Sequence, residues 1–159
     1  MNKSRLHRTA TEYWTPQDRQ EVARAKTFKE LAKVGCRVLG RMSRPIIQVC
    51  GPITTGGVGT VEGNIRVFQE TIENLQKSGK SVFNQLAFEK PLWKIMKEFP
   101  RQWGRPNKKD LQLLEEFYGA LFHSGQIREL DFIPGWEYSF GACWEYSEGN
   151  KLGLEIVLL

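Results

Sequence analysis

The 159-residue chain has three cysteines, two histidines and no long apolar run, and each scarcity removes a class of function. Cys36, Cys50 and Cys143 are odd in number and show no paired spacing. A disulfide framework is therefore not expected, and a reducing, cytoplasmic setting is. With only His7 and His123 available, no Cys/His cluster has zinc spacing, and a Ser-His-Asp triad would need one of those two rings. Neither a metal nor a cofactor is expected. Charges interrupt every hydrophobic stretch short of the roughly 18 apolar residues of a membrane span, so no membrane association is expected. The basic N-terminus is followed by no apolar segment of the kind a secretory signal requires.

What is present, 40% hydrophobic and 26% charged residues, is the balance of one globular domain. The net charge of +5 is unevenly placed. Residues 1–44 carry eleven Lys or Arg against Glu12, Asp18, Glu21 and Glu30, a net +7, which leaves −2 for the remainder. The chain thus divides into a basic extension, 1–44, and a nearly neutral domain, 45–159. In the extension, Ala25, Phe28, Ala32, Cys36 and Leu39 recur every three or four residues among lysines and arginines. That spacing predicts a helix docked on the core or on a partner subunit. It is preferred to a nucleic-acid arm because no series of stacking aromatics accompanies the charge.

From residue 45 the pattern is α/β. Ile46-Ile47-Gln48-Val49-Cys50 reads as a buried strand, followed by a glycine-rich loop at 51–60. A helix should follow, capped by Asn64, striped by Ile65, Phe68, Ile72 and Leu75, and ended by Gly79. Residues 80–84 predict the next strand, 91–97 a short helix, 100–109 a loop, and Leu111, Leu114, Tyr118 and Leu121 a further helix. A strand within 127–134, a turn at 135–139, a helix over 140–151 and a strand over 154–159 complete the chain. The alternation predicts a three-layer, Rossmann-like (flavodoxin-like) parallel sheet with helices on both faces, preceded by the basic helix. Ligands on such sheets bind at the carboxyl ends of strands, where the first loop and residues 135–139 should meet.

The first loop offers backbone N–H groups unobstructed by Cβ atoms, a cradle for phosphate or sugar, although it is neither a P-loop nor a dinucleotide fingerprint. The second runs Pro134-Gly135-Trp136-Glu137-Tyr138-Ser139-Phe140-Gly141-Ala142-Cys143-Trp144-Glu145. There a strand ends, aromatics crowd a turn, and Glu145 lies near the start of a helix, where the dipole favours a carboxylate. The plainer reading makes Trp136 and Trp144 core anchors and Glu145 a solvated residue. Asn84 and Gln85, ending the second strand, are base or sugar contacts by the same strand-end rule.

Val49-Cys50-Gly51-Pro52-Ile53 with the Gly56-Gly57 loop, Asn64, and the 134–145 segment together resemble the nucleoside 2-deoxyribosyltransferase superfamily, which includes the 2'-deoxynucleoside 5'-monophosphate N-glycosidases. The resemblance covers 45–159. It implies cleavage or transfer at the N-glycosidic bond of a (deoxy)nucleoside or its 5'-monophosphate, with no cofactor and with the nucleoside or nucleotide as small-molecule partner. It implies that Glu145, six residues after Ser139, is the nucleophile. A carboxylate suits a C1' that turns cationic as the base leaves, and the resulting glycosyl ester passes to water or to a second base. The resemblance also implies that Gly51, Pro52, Thr54, Gly56, Gly57, Gly135 and Trp136 line the substrate, and that Ser139 and the Gly141 amide hold phosphate. It calls for a second carboxylate, with Glu115 or Glu116 as candidates, and for a homodimer or larger assembly.

The sequence departs from that pattern. Gln48 stands where the monophosphate glycosidases carry tyrosine, Pro52 replaces their loop serine and offers neither hydroxyl nor N–H, and Thr54 replaces their arginine. The alternative is a non-catalytic nucleotide-binding or sensing module on the same fold.

Overall fold

The computed structural model describes residues 13–54, 56–97 and 107–159. Residues 1–12 of the basic extension, Thr55 of the first loop, and most of the loop expected at 100–109 lie outside them. Two helices precede the sheet where a single one was expected. Helix α1 (Pro16–Arg24) begins with proline in its first turn and a reciprocal cap between Thr15 and Asp18. Helix α2 (Phe28–Arg41) is capped by Thr27 and buries Phe28, Leu31, Val34, Val38 and Leu39. The basic stripe is its solvent face. Its apolar stripe belongs to the same core as the sheet, so the described part of 1–44 is docked.

Asp18 ties these helices together, accepting from Arg37 Nε at 3.3 Å and Nη2 at 3.2 Å and from Arg41 Nη1. Burial alone would raise its pKa. The Arg41 hydrogen bond and the Thr15 cap outweigh that and hold the carboxyl at about 2. Trp14 lies against Phe88 with ring centroids 5.1 Å apart, joining the α1 end to the centre of the molecule.

Among the described residues the sheet contains four strands, β1 (Ile46–Cys50), β2 (Ser81–Phe83), β3 (Ile127–Phe132) and β4 (Glu155–Leu158), in the order β2-β1-β3-β4. Every pairing is parallel, as the alternation of elements predicts. Because successive side chains on a strand point to opposite faces, fully buried β1 divides its residues between two cores. Ile47 and Val49 pack with Phe68 and Ile72 of α3 (Val61–Lys77). Ile46 and Cys50 belong to the larger core built with α2, α4 (Glu89–Met96) and the helix after it. Among the described residues, helices therefore flank both faces of the sheet, with α3 alone on one.

The helix before β3 runs from α5 (Lys108–Leu113) through a π-helical segment (Leu114–Gly119) into α6 (Ala120–His123). Such widened turns recur at functional sites, and this one carries Tyr118. The last crossover is α7 (Phe140–Lys151), with the boundaries expected from sequence. Helix α3 starts four residues earlier than expected, with Thr60 rather than Asn64 as its cap, which frees Asn64 for another task. Among the described residues, no helix is long and apolar enough to cross a membrane.

Candidate functional site

The carboxyl ends of β1 and β3 open side by side, and their loops are joined from the start. Ile133 N–H donates to the Cys50 carbonyl at 2.9 Å. A Cβ on Gly51 would stand 2.9 Å from Ile133 Cβ, so only glycine lets the chains approach this closely. Farther out, Gly56 lies against the Tyr138 backbone, and the expected meeting of the two loops is observed. Asn64 shapes the first loop from beneath. It is buried, accepts from Val58 N–H at 2.9 Å, and donates to the carbonyls of Ile53 at 3.0 Å and Gly56 at 3.2 Å. Gly57 has φ +61 and would drive a Cβ into the Asn64 amide. Pro52 is buried, whereas Thr54, Gly56 and Gly57 are exposed on the loop.

On the second loop, Gly135 takes the left-handed conformation (φ 85) that turns the chain into a short 3-10 segment, Trp136–Tyr138. Trp136 packs on Phe132 and stacks on Tyr146 at 4.5 Å, which is the core-anchor role. Ser139 caps α7, its hydroxyl accepting from the Ala142 amide at 3.3 Å and its carbonyl from the Cys143 amide at 2.9 Å. The Gly141 amide is not among those the cap engages.

Glu145 is not solvated. It is 6% exposed and points inward to the β1 end, where Gln48 Nε2 donates to its carboxylate at 3.2 Å and the Cys50 thiol donates as well. Burial is the largest influence on this group and, against the lowering effect of the Cys50 and Gln48 hydrogen bonds, pushes its pKa up to about 8. Burial, reinforced by Glu145, likewise raises the Cys50 thiol well above its usual range. Tyr118 is raised by burial and then by Glu89 and Glu145, and its hydroxyl hydrogen-bonds Glu89.

Glu89 is the residue that sequence reasoning missed. It opens α4 after the short 3-10 segment Gln85–Phe88 that follows β2, and its charge raises the Glu145 pKa. The strand-end rule pointed there, but Pro91 suggested a later helix start; proline is tolerated in a first helical turn, where its missing N–H has no intrahelical partner to lose. Glu116, by contrast, lies 3.9 Å from Lys29, and Glu115 is exposed, so neither is drawn to Glu145. Asn84 accepts from Leu86 N–H at 3.1 Å and shapes the turn after β2. Gln85 is buried, with Nε2 donating to the Val49 carbonyl. The side-chain oxygens of both Gln85 and Gln48 are buried without a partner. Two buried acceptors, from Gln48 and Gln85, thus lack a hydrogen-bond partner near the carboxyl ends of β1 and β2.

A groove of about 450 Å³ runs between α3 and α4, lined by Ile65, Leu86, Glu89, Lys90, Trp93 and Lys97. Among the described residues, no group of three or more His, Cys, Asp or Glu side chains could hold a metal ion. Compared with models of known protein families, with curated proteins and with solved structures, the chain matches none.

Proposed function

We propose that this protein cleaves or transfers the N-glycosidic bond of a (deoxy)nucleoside or its 5'-monophosphate, with Glu145 attacking C1'. The observation that carries this reading is the Glu145 carboxyl itself, buried at the strand ends and held by donors from Gln48 and Cys50. An isolated buried carboxylate is unfavourable in a low-dielectric site, so its free energy falls most when positive charge develops beside it. A C1' losing its base supplies such a charge, making the interaction stronger in the transition state than in the ground state. The Glu145 oxygen bonds to C1' as the C1'–N pair departs with the base. Water or a second base then breaks the glycosyl ester, and two displacements retain configuration.

The departure at position 48 has a use in this account, since the amide donor orients the nucleophile. The unpartnered oxygens of Gln48 and Gln85 accept sugar hydroxyls, and the α7 N-terminus receives a 5'-phosphate where one is present. Gly51, Pro52, Thr54, Gly56, Gly57, Gly135 and Trp136 frame the opening. Glu89 takes the second-carboxylate role given to Glu116 from sequence. We assign the protein to the cytoplasm, which its three free cysteines fit, and to a homodimer or larger assembly on the family resemblance. The test is base release from nucleosides and nucleotides by the wild type and by Glu145→Gln.

The other reading, a non-catalytic nucleotide-binding module, is favoured by one observation. Burial pushes the Glu145 pKa up to about 8, which favours the neutral acid over the nucleophilic carboxylate. The same nucleoside panel separates the two, because a module binds without releasing base.

A further inference from the structure

We infer that the α3–α4 groove is a base-binding subsite selective for an anionic planar heterocycle, read by Trp93 together with Lys90 and Lys97. This rests on the proposed action at C1' for the position of the sugar, although the groove can be tested without any turnover. Leu86, Glu89 or Lys90, Trp93 and Lys97 recur every three or four residues, so one face of the 3-10 segment Gln85–Phe88 and of α4 lines the groove. Ile65 of α3 forms the facing wall. Its volume of about 450 Å³ lies within the roughly 300–1,000 Å³ of small-molecule sites.

The chemistry of the lining selects the occupant. Ile65, Leu86 and the half-buried Trp93 offer apolar and π surface to a flat ring, whereas the Lys90 and Lys97 ammonium groups lie two turns apart on the flank. A neutral ring offers these charges no opposite charge; a ring bearing a carboxylate supplies one. Glu89 fixes the direction. It lines the groove and its charge acts on Glu145, so in the proposed reaction a ligand whose C1' meets Glu145 extends its base along α4. The same lysines act on the reaction. When C1'–N breaks, the electron pair moves into the base, and two ammonium groups beside that ring stabilise the charge it acquires. The base takes its proton from solvent after it leaves.

The experiment is calorimetric titration of the full chain carrying Glu145→Gln with two probes of one ring size, orotate (anionic) and uracil (neutral). Orotate should bind at least about tenfold more tightly, the factor expected for one hydrogen bond to a charged group. The double variant Lys90→Gln/Lys97→Gln, at two exposed positions, should abolish that preference, and Trp93→Ala should weaken both probes by about fivefold or more. Equal affinity for the two probes, no measurable binding of either, or a preference that survives the lysine substitutions overturns the inference. Orotate selectivity without base release from any nucleoside would leave the groove standing and end the glycosidase reading. Base release whose preference among bases ignores Lys90 and Lys97 would do the reverse.

Discussion

Gln48 and Glu145 lie 97 residues apart in sequence and meet at 3.2 Å, amide donor to carboxylate, between the middle of β1 and the middle of α7. The pairing depends on the alternation of β1, which sends Gln48 and Cys50 to one face and Val49 to the other. Replacing Gln48 with leucine removes a donor that lowers the Glu145 pKa. The rising limb of the pH–rate profile should then move to higher pH with the fold intact. An unshifted limb would show that Gln48 does not act through Glu145.

The same burial makes Glu145 costly for stability. Its pKa rises from a usual 4.5 to about 8 in the folded chain, so between those values the native state holds a proton that the unfolded chain has released. Stability therefore falls as pH climbs through that window, by an amount on the order of several kcal/mol. Glu145→Gln, which never ionises, should have nearly the wild-type Tm at pH 5 and a clearly higher one at pH 8. Thermal melts at the two pH values check this; an equal shift at both would contradict it.

Asp18 behaves oppositely. With its folded pKa held at about 2 against a usual 3.8, its stabilisation is complete above pH 4 and is lost as pH falls towards 2. Asp18→Asn should cost about 2 kcal/mol near neutral pH, measured by urea unfolding, because it leaves Arg37 and Arg41 without their buried anion. The deficit should shrink in acid.

Asn64 holds the first loop through three hydrogen bonds. Asn64→Ala should lower stability by about 2–3 kcal/mol, since buried backbone groups lose their partners. If this loop frames the substrate, KM should rise as well, which paired unfolding and kinetic measurements would reveal.

The parallel sheet and the limits of α7 were legible because strand-length apolar runs alternate with capped, 3.6-periodic segments. The meeting of the two loops followed from the strand-end rule. The cap of α3 was misplaced because Thr60 and Asn64 both suit an N-cap, and only the closeness of Gly57 shows that Asn64 is bound to the loop. The division of the N-terminal helix is set by Ala25 and Thr27, short-range signals hidden under a continuous apolar stripe. Glu89 and Glu116 could not be told apart in sequence. Which carboxylate faces Glu145 depends on the twist of the π-helical segment and the docking of α4, both tertiary properties. The burial of Glu145 was equally hidden, since a lone acidic residue early in a helix is ordinarily solvated.

The most direct test of the account is chromatographic detection of free base from a panel of nucleosides and their 5'-monophosphates, with wild type and Glu145→Gln side by side. The account predicts release by the wild type, rising with pH towards about 8, and none by the variant. Release undiminished in Glu145→Gln, or none by the wild type even with an acceptor base added, would contradict it.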